Sequence, residues 1–313
     1  MSFMNTTVKR LLKETIIRID GAYAPATIRA YKSNFEKFIA YCESLSECAL
    51  PASSKVVAQY VKKLADGQLK SSTIRIGVAA IATIHKLNEM PDPTHHSDVK
   101  LEVRRMFRTL GREHKQAYGI TTTILQKMLS ITEDNLRGIR DRALLLVAYD
   151  SLCRRSELVS LQVEDLIINE SLPVKTLRLR LRRSKTDQEA AGRWLYLSVE
   201  AQQALNAWLI ATDLHSGKIF RGIKKKGELS DGLNSSHINR IYKRIAISSK
   251  LDPRIIQQIS GHSLRVGAAQ DLLLSGASLP IIMNRGRWSK TDTVMRYVES
   301  AGFNNPQFIA HLT

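Results

Sequence analysis

The stretch Gly261-His-Ser-Leu-Arg-Val-Gly-Ala-Ala269 places a histidine and an arginine three residues apart. If a helix begins at Ser263, the side chains of His262 and Arg265 lie near one face of its first turn, beside backbone N–H groups that attract anions. The stretch therefore predicts a phosphate-binding site. The same spacing also arises by chance, so the remainder of the chain has to distinguish the two interpretations.

Two short helices are predicted between this pair and the next distinctive residues, Trp288 and Tyr297. Gly276 can end the first helix, Ser278 can cap the second, and Gly286 can end the second. A tyrosine held beside phosphate-binding cations can act as a covalent nucleophile toward phosphorus. A tyrosine flanked by apolar residues is as readily explained as part of a core.

Composition and charge narrow the class of protein. The 313 residues exceed a typical single domain, so two domains are expected, and 43% hydrophobic residues suffice for packed cores. A net charge of +18 and a pI near 9.9 indicate a polyanionic partner. Nucleic acid is favoured over a membrane, because no apolar run approaches the ~20 residues of a spanning helix. The absence of a signal peptide core and of metal-type cysteine spacing predicts a cytoplasmic protein without structural disulfides or a metal.

The chain from about residue 8 to residue 110 is predicted to form a compact helical domain. Its clearest helix has an apolar stripe in a 3-4-3-4 spacing. The residues of this stripe are Ile28, Tyr31, Phe35, Phe38 and Cys42. Five basic residues of the domain are candidates either for a DNA-facing side or for ordinary solvated surface. These candidates are Lys70, Arg75, Arg104, Arg105 and Arg108.

A charged, glycine-bracketed segment at residues 112–120 is predicted to link domain 1–111 to domain 121–313. In the second domain, the stretch Thr176-Leu-Arg-Leu-Arg-Leu-Arg182 alternates strictly between leucine and arginine from residue 177 onward, which predicts a strand with one apolar and one cationic face. Residues 194–197 are the predicted partner strand. Lys185 lies in the polar loop between them, where it is either functional or an ordinary surface lysine.

Arg154 and Glu157 follow a strongly apolar run and lie three residues apart. The arginine is a candidate phosphate clamp, and a purely structural Arg–Glu pair is the alternative. Basic residues further along the chain suit contacts with backbone phosphates, although such runs are commonly only solvated. These residues are Lys224, Lys225, Lys226, Arg240, Lys243 and Arg244.

In chain order, these motifs resemble the tyrosine recombinase (phage integrase) family. Ala148-Tyr-Asp-Ser-Leu-Cys-Arg-Arg-Ser-Glu-Leu158 resembles its first arginine box, and Ser184-Lys-Thr186 resembles its β-hairpin lysine. The opening stretch resembles its second box. Trp288 and Tyr297, nine residues apart, resemble the pair that ends with the nucleophile. The resemblance spans the region from the linker to Tyr297 and extends more loosely over the helical amino-terminal domain.

Three positions distinguish this chain from many members of the family. Trp288 stands where many members carry a second histidine, and this draws the chain toward the Cre-like members. Ser151 stands where many members have glycine, and Arg287 stands where Cre-like members tend to have glycine. All six catalytic positions of the family pattern remain filled.

The resemblance implies a site-specific recombinase that cleaves and rejoins DNA by transesterification. Tyr297 attacks a scissile phosphate, which gives a 3′-phosphotyrosyl enzyme and a free 5′-hydroxyl. Arg154 and Arg265 supply the positive charge that other phosphoryl-transfer enzymes take from Mg²⁺, so neither a metal nor a cofactor is expected.

The remaining roles follow from the same resemblance. His262 binds a non-bridging oxygen and helps to take the tyrosine proton, and Lys185 protonates the leaving 5′-oxygen. Trp288 donates a hydrogen bond through its indole N–H, and Glu157 orients its neighbours.

For the whole molecule, the resemblance implies a mainly α fold with a small β-hairpin or sheet. A helical amino-terminal DNA-binding domain and a mixed α/β catalytic domain form a C-shaped clamp. The partners implied are double-stranded DNA with inverted-repeat half-sites and a homotetramer on two duplexes that passes through a Holliday junction. The apolar tail, residues 303–312, either docks on a neighbouring protomer or packs on its own domain.

The sequence also leaves two other classes of DNA-binding protein as alternatives. A type IB topoisomerase uses a similar set of residues as a monomer, and a non-catalytic DNA-binding protein explains the charge and the helices. The filled catalytic positions favour the recombinase, which is expected in the cytoplasm of a bacterium, near the nucleoid, with a bacterial, phage or mobile-element origin.

Overall fold

The computed structural model describes residues 2–111, 116–169, 176–182 and 192–304. The chain divides into two compact units, Met1–His114 and Lys115–Thr313. Helices dominate both units and a small sheet lies in the second, which confirms the predicted fold class. Within the described ranges, no helix has the length and apolarity needed to span a membrane.

All the regular secondary structure of the first unit, within residues 2–111, is helical. Its α-helices are α1 (Ser2–Arg18), α2 (Pro25–Ser44), α3 (Ser54–Asp66), α4 (Ser71–Leu87) and α5 (Ser97–Leu110), with a 3-10 turn at Pro93–His95. The apolar stripe predicted for α2 is confirmed, because Phe35, Phe38 and Cys42 are fully buried. They share one core with residues of α3 and α4. Ser53 caps α3 by accepting a hydrogen bond from the Val56 N–H at 3.3 Å.

A histidine lies in this core. His85 of α4 accepts a hydrogen bond from the Ala52 N–H through Nε2 at 2.9 Å and pairs with the Ile81 carbonyl through Nδ1 at 2.8 Å. Since the Ala52 N–H can only donate, the proton of a neutral ring lies on Nδ1. Burial lowers the pKa of His85, and the ring is therefore held in its neutral form.

The described part of the second unit combines helices with one small sheet. Its α-helices are α6 (Thr122–Leu129), α7 (Leu136–Ser151), α8 (Arg155–Leu158), α9 (Val199–Thr212), α10 (Ser235–Ser248), α11 (Pro253–Gln258), α12 (Ser263–Leu274), α13 (Leu279–Gly286) and α14 (Thr291–Asn304). A 3-10 turn spans Val163–Asp165, and the strands are β1 (Leu166–Asn169), β2 (Thr176–Leu181) and β3 (Arg193–Leu195). The apolar run of α7 forms the centre of the core, against α9.

The three strands form an antiparallel sheet in the order β1-β2-β3. In β2 the predicted alternation is confirmed: Leu179 and Leu181 are buried, whereas Arg178 and Arg180 are exposed. Strand β1 was not predicted, since four residues give too short a pattern. The predicted loop lysine, Lys185, lies outside the described residues, as do residues 305–312 of the predicted tail.

The chain enters the second unit along α12. The Ile120 N–H donates to the Ser263 carbonyl at 2.9 Å, and the Tyr118 N–H donates to the Gln258 carbonyl at 3.2 Å. A Cβ atom at Gly267 would lie 1.9 Å from the Ile120 carbonyl oxygen, so glycine is required for this close approach. The end of the predicted linker therefore packs against the helix that begins with the His262–Arg265 motif.

The end of α13 agrees with the prediction that Gly286 closes this helix, because Gly286 is its last helical residue. The residue after it, Arg287, has a left-handed conformation, with φ 56° and ψ 47°. A Cβ atom at Gly286 would lie 1.8 Å from the ring of Trp288, so glycine is required for packing of the indole.

Candidate active site

Arg154 precedes the first turn of α8, directly after the end of α7. Its backbone N–H donates to Oε2 of Glu157 at 2.9 Å, and its Nη1 donates to Oε1 of the same carboxylate at 2.6 Å. Glu157 is buried, whereas 18% of the Arg154 side chain is exposed. The pair therefore fixes the arginine while part of its side chain stays exposed, which suits a phosphate clamp as well as a structural role.

A second arginine binds the same carboxylate. Nη2 of Arg287 donates to Oε2 of Glu157 at 3.1 Å. Burial favours the protonated form of the carboxyl group, but the hydrogen bond from the Arg154 N–H and the charges of Arg287 and Arg154 outweigh it and lower the pKa of Glu157. Glu157 is therefore ionised at neutral pH and bridges two cations.

Arg265 lies in the first turn of α12 and is 3% exposed. Its Nη2 donates to the Gly286 carbonyl at 2.6 Å, and its Nη1 donates to the Leu152 carbonyl. Burial and the positive charges of Arg154 and Arg287 lower the pKa of Arg265 to about 10, so the side chain remains a cation at neutral pH. The guanidinium is held between the end of α13 and the turn before Arg154.

An aromatic pair continues from this arginine to α14. The guanidinium carbon of Arg265 lies 4.2 Å from the ring centroid of Trp288, a cation–π contact. The ring centroids of Trp288 and Tyr297 are 5.6 Å apart, and the two rings meet edge to face. The backbone of α14 is fixed here as well, because Nε2 of Gln270 donates to the Tyr297 carbonyl at 3.2 Å. The phenol is thus held beside the cation cluster.

His262 is exposed just before α12, and its N–H donates to Oγ of Ser260 at 3.2 Å. Desolvation by its surroundings lowers the pKa of His262, and the positive charges of Arg265, Arg155 and Arg154 lower it further. A neutral imidazole at neutral pH can accept a proton from a nearby phenol.

The fold thus assembles six of the predicted catalytic residues in one place. They are Arg154, Glu157, His262, Arg265, Trp288 and Tyr297. The site combines cations, a neutral histidine and a phenol. Such a set can bind a phosphate and direct an oxygen nucleophile at it.

Two family models match the chain. The one described as "Phage integrase family" matches residues 120–302, more than half of the chain. The one described as "Phage integrase, N-terminal SAM-like domain" matches residues 14–87. The chain belongs to the phage integrase family.

Relatives of this integrase-family chain include the integrase/recombinase xerD homolog of Selenomonas ruminantium, 27% identical and covering 93% of this chain and 86% of the relative. Recombinase cre of Escherichia phage P1 is 26% identical, and the match covers 89% of this chain and 85% of that relative. The XerH site-specific recombinase, solved with its palindromic difH substrate, has the same fold, with a TM-score of 0.63, 16% identity and coverage of 91% and 78%. These comparisons confirm the predicted family and the predicted enzyme class, a tyrosine recombinase that cleaves and rejoins DNA.

Sequence reasoning missed three residues of this integrase-family site. Arg155 contributes positive charge beside His262, and Gln270 binds the backbone of Tyr297. Arg287 joins the carboxylate of Glu157. Only Arg287 left a signal in the sequence, its departure from the glycine of Cre-like members.

Most of the predicted DNA-binding residues are exposed within their own units. In the first unit all five are exposed, namely Lys70, Arg75, Arg104, Arg105 and Arg108. In the second unit Arg240, Lys225 and Lys226 are exposed. Lys224 pairs with Glu228, Arg244 pairs with Asp141, and Lys243 donates to the Gln257 carbonyl. Their contact with DNA remains a prediction.

Proposed function

We propose that this protein is a site-specific recombinase that cleaves DNA through a covalent 3′-phosphotyrosyl intermediate at Tyr297. The observation that carries the proposal is the stack of Arg265, Trp288 and Tyr297, with separations of 4.2 Å and 5.6 Å. A buried cation, an indole and a phenol in contact bring a nucleophile beside a phosphate-binding group.

In the proposed first step, the phenol oxygen of Tyr297 forms a bond to the scissile phosphorus as the bond to the 5′-oxygen breaks. Arg154 and Arg265 bind the non-bridging oxygens and offset the charge of the transition state. The energy of the phosphodiester is retained in the phosphotyrosyl bond. A 5′-hydroxyl from a second strand then reverses the step, which releases Tyr297 and joins the new partner.

Two protons move in this step. His262 takes the proton of the phenol, for which its lowered pKa is suitable because the ring is neutral before the reaction. Lys185 gives a proton to the leaving 5′-oxygen, and Trp288 donates its indole N–H to the phosphate. Glu157 holds Arg154 through the 2.6 Å ion pair.

We further propose that residues 1–111 form a core-binding domain, residues 112–120 a linker and residues 121–313 the catalytic domain, and that both domains contact the DNA. The palindromic substrate of the XerH relative supports inverted-repeat half-sites for this chain as well. On such sites a homotetramer exchanges strands between two duplexes through a Holliday junction. The segment 303–312 docks on the neighbouring protomer.

Covalent trapping tests the proposal. Wild-type protein and the Tyr297→Phe variant are incubated with genomic or plasmid DNA, denatured, and the DNA that stays attached is sequenced. A discrete site recovered from the wild type alone is expected. The same experiment supplies the unknown target sequence.

Other outcomes would support the rival functions. Tyr297-dependent attachment scattered over all DNA, with relaxation of supercoiled plasmid by a monomer, would support a type IB topoisomerase. DNA binding that falls steeply with salt but gives no attachment would support a non-catalytic binding protein.

A further inference from the structure

Arg287 is a third buried guanidinium of the site, 8% exposed, at a position for which the recombinase chemistry above has no use. Its Nη1 donates to the Ser151 carbonyl at 3.0 Å, and its Nη2 donates to the Leu152 carbonyl at 3.1 Å. The same Nη2 donates to Oε2 of Glu157 at 3.1 Å. Arg287 therefore connects the end of α13 to the turn that delivers Arg154.

The backbone of Arg287 makes its presence informative. A left-handed conformation, with φ 56°, is one that glycine adopts most readily and that side chains with a Cβ adopt at a cost. An arginine persists at such a position where its contacts compensate for the backbone strain. Here the hydrogen bonds of Arg287 with the carbonyls of residues 151 and 152 and with Glu157 compensate for that strain.

The hydrogen bonds of the Glu157 carboxylate indicate what Arg287 contributes. Oε1 accepts from the side chain of Arg154, and Oε2 accepts from both the Arg154 N–H and Arg287. A carboxylate paired with one arginine alone would neutralise that arginine. With Arg265 included, three guanidinium charges and one carboxylate leave a net charge of +2 in the cluster.

We propose that Arg287 is a positioning residue that fixes Glu157 and offsets its charge, so that Arg154 keeps its positive charge for the scissile phosphate. This inference rests on the proposed function, because it assigns a role within the same phosphoryl transfer. Arg287 does not touch the reacting atoms; it acts through Glu157.

The test uses a nicked duplex that carries the site recovered by covalent trapping, and it measures the single-turnover rate at which the full-length protein forms the covalent adduct. Arg287→Gly suits the left-handed backbone and removes all the side-chain contacts. Its adduct rate should fall by roughly tenfold to a hundredfold, the range for residues that orient charged ligands in other enzymes. Affinity for the same duplex should change little.

Arg287→Lys tests the charge. A lysine restores one positive charge beside Glu157 but cannot form the same set of hydrogen bonds. Its adduct rate should lie clearly above that of Arg287→Gly. A lysine variant as slow as the glycine variant would assign Arg287 to tying the backbone together, and the proposal would fail.

A double-mutant cycle with Glu157→Gln separates positioning from general structural support. If Arg287 acts through the carboxylate, Arg287→Gly should slow the Glu157→Gln protein much less than it slows the wild type. An equal slowing in both backgrounds would overturn the proposal. This comparison holds even if the variants are less stable, provided the temperature is well below each thermal midpoint.

Arg142→Ala is the matched control, since Arg142 donates to the Thr132 carbonyl at 3.5 Å in the same unit and should leave the adduct rate unchanged. If the wild type gives no Tyr297-dependent adduct, the proposed function fails. If the wild type gives the adduct and Arg287→Gly forms it at the same rate, only the role of Arg287 fails.

Discussion

Asp141 and Glu157 are both buried carboxylates that bridge two arginines, yet they serve different ends. Asp141 accepts from Nε and Nη2 of Arg140 at 3.0 and 2.6 Å, and Arg244 also donates to it. Arg140 is itself buried. In the Asp141 cluster the second arginine, Arg244, is largely exposed to solvent, whereas in the Glu157 cluster both arginines join the buried Arg265 and place a surplus of positive charge beside the phenol of Tyr297.

A buried ion pair does not reveal its role through its geometry alone. Buried pairs contribute little net stability, but removal of one partner is costly because a charge is left without compensation. What distinguishes the two clusters is their surroundings. The Glu157 cluster adjoins an exposed histidine and a tyrosine, and the Asp141 cluster adjoins neither among the contacts of the described residues.

The largest expected effect is a loss of stability on substitution of Asp141. Asp141→Asn should lower the free energy of unfolding by about 3–5 kcal/mol, because Arg140 stays buried and charged without its carboxylate. Glu157→Gln should cost less, since Arg287 keeps its carbonyl partners. Urea unfolding followed by circular dichroism measures both. A larger loss of stability for Glu157→Gln would contradict the different roles of the two carboxylates. Slower cleavage by folded Asp141→Asn protein than by the wild type would contradict them as well.

The next largest effect is a loss of cleavage rate on substitution of Arg154 in the Glu157 cluster. Arg154→Ala should slow formation of the covalent adduct by roughly 10²–10³-fold, the cost of one preorganised charge donor in other enzymes. The single-turnover rate on the trapped site measures this, with Arg142→Ala as the control expected at the wild-type rate. An Arg154→Ala protein as fast as its control would remove Arg154 from the chemistry.

A smaller loss of cleavage rate is expected when the packing of Trp288 against Arg265 and Tyr297 is disturbed. Gly286→Ala places a methyl group where the Trp288 ring lies, so the ring has to move from Arg265 and Tyr297. Adduct formation should slow by roughly tenfold to a hundredfold, as misplacement of a reacting group by about 1 Å does elsewhere.

Two controls accompany the glycine variant. Gly77→Ala in α4 meets its nearest atom at 3.7 Å, so it should stabilise the helix by up to about 1 kcal/mol without affecting cleavage. In a Trp288→Ala background the ring is gone, and Gly286→Ala should then have little further effect. A full additional loss in that background would show that Gly286 matters for another reason.

The smallest effect distinguishes two histidines. The pKa of His85 is lowered chiefly by burial, and that of His262 by desolvation and then by Arg265, Arg155 and Arg154. Arg155→Ala should therefore raise the pKa of His262 and leave that of His85 in place. Histidine ring NMR titration of the full chain measures both values, and a fall or no change for His262 would contradict the assignment.

The sign of the pH dependence follows from the same shifts. Both folded pKa values lie below the ordinary value of 6.5. The stability that depends on each neutral ring is therefore complete above that value and is lost as the pH falls below it. For His85 the loss should affect the first unit, because its ring accepts the Ala52 N–H.

The helices and β2 could be predicted because their apolar spacing records burial directly. The stripe of α2 and the leucines of β2 each face a core, and the period of the sequence reports which side that is. Strand β1 and the short α11 could not be predicted in this way, since neither covers more than two repeats of its pattern. The end of α13 at Gly286 could be predicted, but the packing reason for a glycine there could not, because the need of Trp288 for space is a tertiary effect.

Most of the candidate site was predictable for a different reason: its residue types are unusual together. The sequence has a histidine, two arginines, a tryptophan and a tyrosine at the spacings typical of the family. These residues indicate the kind of site before any contact is known. Arg287 was noticed only as a departure, because its partner Glu157 lies far away in the chain and becomes a neighbour only after folding. Gln270 binds a backbone carbonyl, and such a bond leaves no trace in the sequence.

The position of Tyr297 on α14 has a consequence for the order of synthesis. Leu152, Ala268 and Ile282 belong to a small core that α14 completes with Val294. A ribosome makes the three arginines of the cluster before it makes Tyr297, and domains fold from the amino terminus as the chain emerges. If Tyr297 is the nucleophile, as proposed, a nascent chain acquires its cleaving group only after its proposed phosphate-binding side chains have been made, so an unfinished chain cannot form a covalent bond with DNA.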